Sequence, residues 1–214
     1  FIQESAESGE PFFLYLPAST PHEPCEPEVI PEFMRGASEA GPRGDMVALF
    51  DYMVGEVMNA LDEAGVADNT LLIVTSDNGA KPGSYNRLTH GHQSCGYLRG
   101  FKSSTWEGGH RVPMIVRWPA VVKLNTVSHQ LVGLQDFMAT VADVLDLAIP
   151  ENAAEDSISF LPALNGVEQS ESARSNLMHH SALGVFAIRQ GPWKLIIDCD
   201  NSGGVKVFHQ FGAD

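Results

Sequence analysis

The chain is poor in cysteine. Cys25, Cys95 and Cys199 are odd in number, far apart and form no CxxC pair, which argues against a disulfide framework and a structural zinc site alike. It is also poor in positive charge. Thirteen Lys and Arg stand against 27 Asp and Glu, a formal net charge of −14, and non-specific nucleic-acid binding needs the opposite balance. No apolar run approaches the length of a membrane span. The opening "FIQESAESGE" has neither a basic n-region nor an apolar h-region, so no signal peptide is expected there, although a segment further upstream would hide one. There is no internal repeat and no low-complexity tract. What remains is the composition of a globular protein: 214 residues, 43% hydrophobic and 19% charged, enough to bury a core.

Along the chain, "PFFLYLP" (11–17) is a short apolar run bracketed by prolines and reads as a buried strand. Prolines at 21, 24, 27 and 31 then keep the next segment extended. Val47, Phe50, Val54, Val57 or Met58, and Leu61 recur at helical spacing, with Gly65 as the stop. "DNTLLIVTS" (68–76) is a second buried strand. Strand, loop, amphipathic helix, strand is the pattern of a βαβ unit, which favours a parallel sheet. Residues 79–109 show no regular period and hold seven glycines, and long loops of this kind are usually functional. "VPMIVRW" (112–118) is a third strand. Leu134, Phe137, Val141 and Val144 or Leu145 form a helical stripe stopped by Pro150. "GVFAIRQGPWKLIID" (184–198) turns at Gly191-Pro192 and predicts an antiparallel hairpin. The division expected is an α/β domain over 1–150 and the start of a smaller unit over 151–214.

In open parallel α/β sheets ligands bind beyond the carboxyl ends of the strands. Asp77 and Asn78 stand there, at the end of "TLLIVTSDNG" (70–79). A carboxylate and a carboxamide oxygen are hard donors suited to Ca²⁺ or Mg²⁺ rather than to zinc. Asp-Asn-Gly is also an ordinary turn sequence, so the tripeptide alone leaves both readings open. Between Arg99 and Arg117 lie four bases against one acid, Glu107. Such a basic island in an acidic chain fits an anion site, or a solvated surface.

The neighbours of that strand carry a resemblance. Ser76-Asp77-Asn78-Gly79 is followed by Leu98-Arg99-Gly100, Lys102, Glu107-Gly108-Gly109, Arg111 and Pro113. Upstream, "PFFLYLPASTPHEP" places His22 in a Pro-His-x-Pro loop, and downstream "AIRQGPWKLI" forms a hairpin sequence. In this order the pieces resemble the sulfatase family of the alkaline phosphatase superfamily, over nearly the whole chain. The resemblance implies a mixed, largely parallel α/β sheet flanked by helices, with a small C-terminal antiparallel α+β subdomain. It implies Asp77 and Asn78 as ligands of a divalent cation, most often calcium in this family, with magnesium the alternative. Lys102 would bind the sulfate group and His22 would contact it or assist the leaving oxygen. The partner would be a sulfated small molecule or glycan. Each residue also has a plain reading: His22 and Lys102 as solvated surface groups, Arg99 and Arg111 as loop-holding residues, Glu107 as a structural one, and Gly108 and Gly109 as serving backbone geometry. His90, His92, His179 and His180 fit a pocket lining better than a metal site.

The family's nucleophile is a formylglycine made from the first residue of a (Cys/Ser)-x-Pro-x-Arg motif, which would attack sulfur and form a covalent sulfate ester. No such motif occurs here. "CEPEV" (25–29) has Val29 where Arg is required and lies after the histidine loop's start. The family's paired N-terminal aspartates are absent as well. The reading is therefore the C-terminal portion of a sulfatase, inactive alone, with the formylglycine supplied by an N-terminal segment. Its rivals are a phosphodiesterase or phosphonate hydrolase, for which Asp-His-Gly would replace Asp77-Asn78-Gly79, and a non-catalytic relative that binds a sulfated ligand.

Overall fold

The computed structural model describes residues 1–81, 88–166 and 173–198. Five helices and five strands are labelled below. Helix α1 covers Ile2–Ser8. Its neighbour α2, Gly41–Glu63, is the longest element. Pro42 lies in its first turn, where a missing N–H costs nothing. Gly65 closes it with φ +70°, the left-handed geometry that glycine adopts without strain. The stripe of α2 differs by one residue at its start from the expected one. Met46 is buried while Val47 is 51% exposed, so the apolar face runs from Met46 through Phe50 to the buried Leu61. The cause is local: the buried Asp45 carboxylate accepts from the amides of Gly36 and Ser38 at 2.9 and 2.8 Å. Thr20 Oγ1 donates to the Met46 carbonyl at 2.5 Å. Those bonds turn the 45–46 edge inward.

Strand β1, Leu72–Thr75, pairs with β2, Met114–Arg117, in register Leu72↔Arg117 to Thr75↔Met114. The pairing is antiparallel, and so is the rest of the β structure among the described residues. The largely parallel sheet is thus not what these residues form. "PFFLYLP" is not a strand: it runs extended with Phe13 78% and Tyr15 76% exposed. With no strand at 11–17, α2 crosses between no two paired strands, and β1 finds its partner in β2 instead. A two-stranded ribbon cannot bury both faces, so β1 is half-buried rather than fully covered.

Beyond β2, helix α4 spans Asp136–Val144, and the four-residue α3, Glu107–His110, precedes that strand. The stripe of α4 is only partly inward. Its buried positions are Asp136, Ala139 and Thr140, and Leu145 is 57% exposed. The helix stops before Pro150, at Asp146 in left-handed geometry, φ +51°. Phe137 meets Phe160 edge-on at 5.7 Å, just before α5, Leu161–Leu164. The expected hairpin is present as β4, Phe186–Gln190, and β5, Trp193–Ile196, with Gly191 at φ +52° in the two-residue turn. Strand β3, Asn176–His180, completes a sheet of order β3-β4-β5. Cys199 and the sequence after it lie outside the described residues, as does part of the 80–97 loop. Among the described residues no helix is long and apolar enough to cross a membrane.

Candidate active site

Strand β1 ends one residue before Ser76, and the chain then presents Asp77 and Asn78. Asp77 is exposed; Asn78 is half-buried. The Asn78 carboxamide oxygen is shielded from solvent and has no hydrogen-bond partner. A buried acceptor without a partner is costly, about 1–3 kcal/mol, and calls for an explanation such as an ordered water, an ion or local strain. Beside it, among the described residues, the Asp77 carboxylate receives only a long contact, 3.4 Å, from Ser76 Oγ. Both oxygens are therefore available to a hard cation. The residues fit one, but as two donors where Ca²⁺ takes six to eight. Among the described residues no group of three or more acidic, His or Cys side chains converges on a metal position.

The 79–109 loop is folded back on this strand end by its backbone. The Gly79 amide donates to the Gly109 carbonyl at 2.9 Å, Lys102 to Ala80 at 2.8 Å, and Gly108 to Arg99 at 2.8 Å. Glycine is obligatory here for reasons of space. A Cβ on Gly79 would lie 1.8 Å from the Gly108 oxygen, and one on Gly108 would lie 2.1 Å from the Gly100 oxygen. The conspicuous glycines of the motif are thus contact points between backbones. Lys102, half-buried, is held next to the Asp77-Asn78 turn by its own amide. The turn that carries it is closed by the buried Ser104, whose Oγ donates to the Phe101 carbonyl at 2.8 Å.

His22 reaches the same region less directly. It is exposed, with Nδ1 3.0 Å from the Glu23 carbonyl. Glu23 pairs with Lys81, the residue after Ala80, and that hydrogen bond holds the Glu23 carboxyl below its usual range. The structure therefore brings Asp77, Asn78 and Lys102 together through the 79–80 and 102 backbones, and ties the His22 loop on through one ion pair. The basic island is not uniformly aimed there. The Arg99 guanidinium lies 3.6 Å over the Trp106 ring, and Arg117 pairs with Asp62 at 3.1 Å. His90 packs against Gly41, where a Cβ would sit 2.4 Å from its ring. His92 and His180 are exposed.

A second polar cluster escaped the sequence reading. Glu107 Oε1 accepts from Arg189 at 2.8 Å and from Lys194 at 2.8 Å. Burial alone would raise the Glu107 carboxyl, but those two hydrogen bonds outweigh it and hold it at about 2. The ring of His110 lies 4.2 Å from that of His179. Burial, then the neighbouring His179, pushes His110 down to about 4, although its surface is still open to solvent. Burial and Lys194 lower His179 also. Arg189 and Lys194 are 82 and 87 residues from Glu107 in the chain, and only alternation in "AIRQGPWK" hinted that they share a face.

The turn after β1 and the loop segment folded onto it thus form one corner of the chain, built from the motif residues. The family profile described as Sulfatase matches residues 1–147, and the chain belongs to the sulfatase family. It is 40% identical over 197 residues to an N-acetylgalactosamine-6-O-sulfatase of Bacteroides thetaiotaomicron, covering 89% of this chain and 37% of that protein. It is 34% identical over 198 residues to arylsulfatase A of Bos taurus, covering 90% and 37%. A solved structure from work on the metabolism of multiple glycosaminoglycans by Bacteroides thetaiotaomicron superposes with TM-score 0.78 at 38% identity, covering 91% of this chain and 42% of that one. The chain thus spans well under half the length of these relatives.

Proposed function

We propose that this chain carries the leaving-group and cation-binding half of a sulfate-ester hydrolase site, acting on a sulfated glycan or aryl sulfate. The observation behind it is the orphaned Asn78 oxygen beside Asp77 at the end of β1, with Lys102 held alongside. The relatives named for N-acetylgalactosamine-6-O-sulfate and aryl sulfate chemistry support the substrate class.

When an S–O bond breaks, negative charge develops on the bridging oxygen while the sulfuryl group keeps its own. Lys102 supplies a compact, strongly hydrated positive charge for those oxygens. His22, exposed on its loop, is free to hand a proton to the departing oxygen. Asp77 and Asn78 would hold a divalent cation, calcium before magnesium, which when bound polarises a sulfuryl oxygen as a Lewis acid. The nucleophile, a formylglycine in this family, has no motif within these 214 residues and would come from sequence outside them.

Calcium titration of the purified chain by isothermal calorimetry tests the reading. Saturable binding with a Kd on the order of 10⁻³ M or tighter is expected, lost in Asn78→Leu and in Asp77→Asn. Binding that neither variant alters removes the site from these residues. Turnover of an aryl sulfate by the chain alone would contradict the outside nucleophile.

A further inference from the structure

The segment that carries Lys102 and seats Asn78 is gripped from its far side by the β3-β4-β5 sheet. Four contacts make the grip. The Ala182 amide donates to the Ser103 carbonyl at 3.0 Å. His179 Nε2 lies 3.2 Å from the Thr105 carbonyl. Glu107 receives Arg189 and Lys194 from β4 and β5. The His110 ring packs on His179 of β3. All the gripping side chains, His179, Arg189 and Lys194, lie on the sheet face turned to the loop, opposite the exposed Met178, Trp193 and Leu195.

The other side of the same segment is the site. Gly109 accepts the Gly79 amide, one residue after Asn78, and Lys102 is fixed on Ala80. Glycines 79, 108 and 109 pack against backbone with no room for a Cβ, and Gly100 packs as closely against the Trp106 and Ser104 side chains, so a displacement of α3 is passed on without slack. Glu107 has the only side-chain ion pairs in this contact among the described residues. One carboxylate oxygen between two cations, Lys194 being only 11% exposed, is worth more than a surface pair because water competes poorly for it.

We propose that Glu107 is a positioning residue: through Arg189 and Lys194 it makes the C-terminal sheet the brace that sets where Lys102 and Asn78 stand. It touches neither substrate nor cation. That functional meaning rests on the sulfatase reading, whereas the bracing itself is a property of the chain and is tested separately.

The measurement is hydrogen exchange, followed by mass spectrometry on peptides covering 76–80 and 99–109, with helices α2 and α4 as internal controls. In Glu107→Gln the amides of Gly79, Lys102 and Gly108 exchange about tenfold faster or more, while control peptides change by less than about twofold. The charge-exchanged double variant E107K/K194E again sets one acid between two bases and returns the exchange to near the original rate. Should E107Q fail to fold, Lys194→Gln, which leaves Arg189 on Glu107, shows the same selective opening to a smaller extent. Unchanged exchange at the three amides, a uniform acceleration across the chain, or a double variant as fast as E107Q each overturns the proposal. A failed calcium titration with selective opening intact would instead remove the proposed cation site and keep the brace.

Discussion

The proposed cation site rests most heavily on a single atom. The Asn78 carboxamide oxygen is buried and unpaired, whereas an oxygen in an ordinary Asp-Asn-Gly turn would accept from a nearby amide or from water. Its neighbour Gly79 shows why the motif ends in glycine. Replacing it with alanine drives a Cβ to within 1.8 Å of the Gly108 carbonyl, and neither backbone can retreat without opening the loop. Gly79→Ala is expected to lose on the order of 2 kcal/mol or more, read as a lowered urea midpoint. A loss below half a kcal/mol would show the contact to be loose. Sequence made these glycines visible as a cluster, but not as partners. That Gly79 meets Gly108 and Gly109 follows from the return of a thirty-residue loop, and no local rule encodes that.

At the scale of elements, the contact between α3 and the C-terminal sheet is built from groups that titrate. Both histidines are held below their ordinary range, His110 near 4. A histidine kept neutral in the folded chain binds its proton more readily when unfolded. Its contribution is therefore complete above about pH 6.5 and is lost as pH falls toward the folded value. Glu107, at about 2 when folded, has the same sign: its contribution is complete above its unfolded value of 4.5 and lost as pH falls toward 2. Lys194 is lowered by burial, against the opposing hydrogen bond to Glu107. The two windows run in sequence, so the thermal midpoint should fall steadily from pH 6.5 to pH 3. His110→Gln and His179→Gln should flatten the upper half of that fall, measured by differential scanning calorimetry. A profile equally steep without the histidines would assign the acid sensitivity elsewhere.

At the scale of the molecule, α4 and the entry to β3 are joined by one buried ion pair. Arg174, 4% exposed, places Nη2 2.5 Å and Nε 3.0 Å from the two oxygens of Asp136, itself 1% exposed. Asp136 also accepts from the amides of Gly133 and Ile158, at 2.8 and 2.9 Å. Removing the arginine leaves a buried carboxylate uncompensated, so Arg174→Met is expected to cost about 3–5 kcal/mol in chemical denaturation. A cost under 1 kcal/mol would mean that water reaches Asp136 freely. Elsewhere much apolar surface stays open, including Phe13, Tyr15, Trp193 and Ile197.

Local pattern by itself determined the elements whose signals are short in range. The 3.6-residue period and Gly65 define α2; the β-branched run defines β1; Gly191-Pro192 defines the β4–β5 turn. Order of motifs along the chain was also enough to point to the family. Tertiary structure alone decided the pairings. It set β1 against β2 antiparallel, a pairing between segments far apart in the chain that no local period encodes. It buried Asp136 in place of an apolar stripe, because a partner for its charge lay 38 residues away. And it joined Glu107 to Arg189 and Lys194, since a charge finds its partner by distance in space, which sequence spacing does not measure.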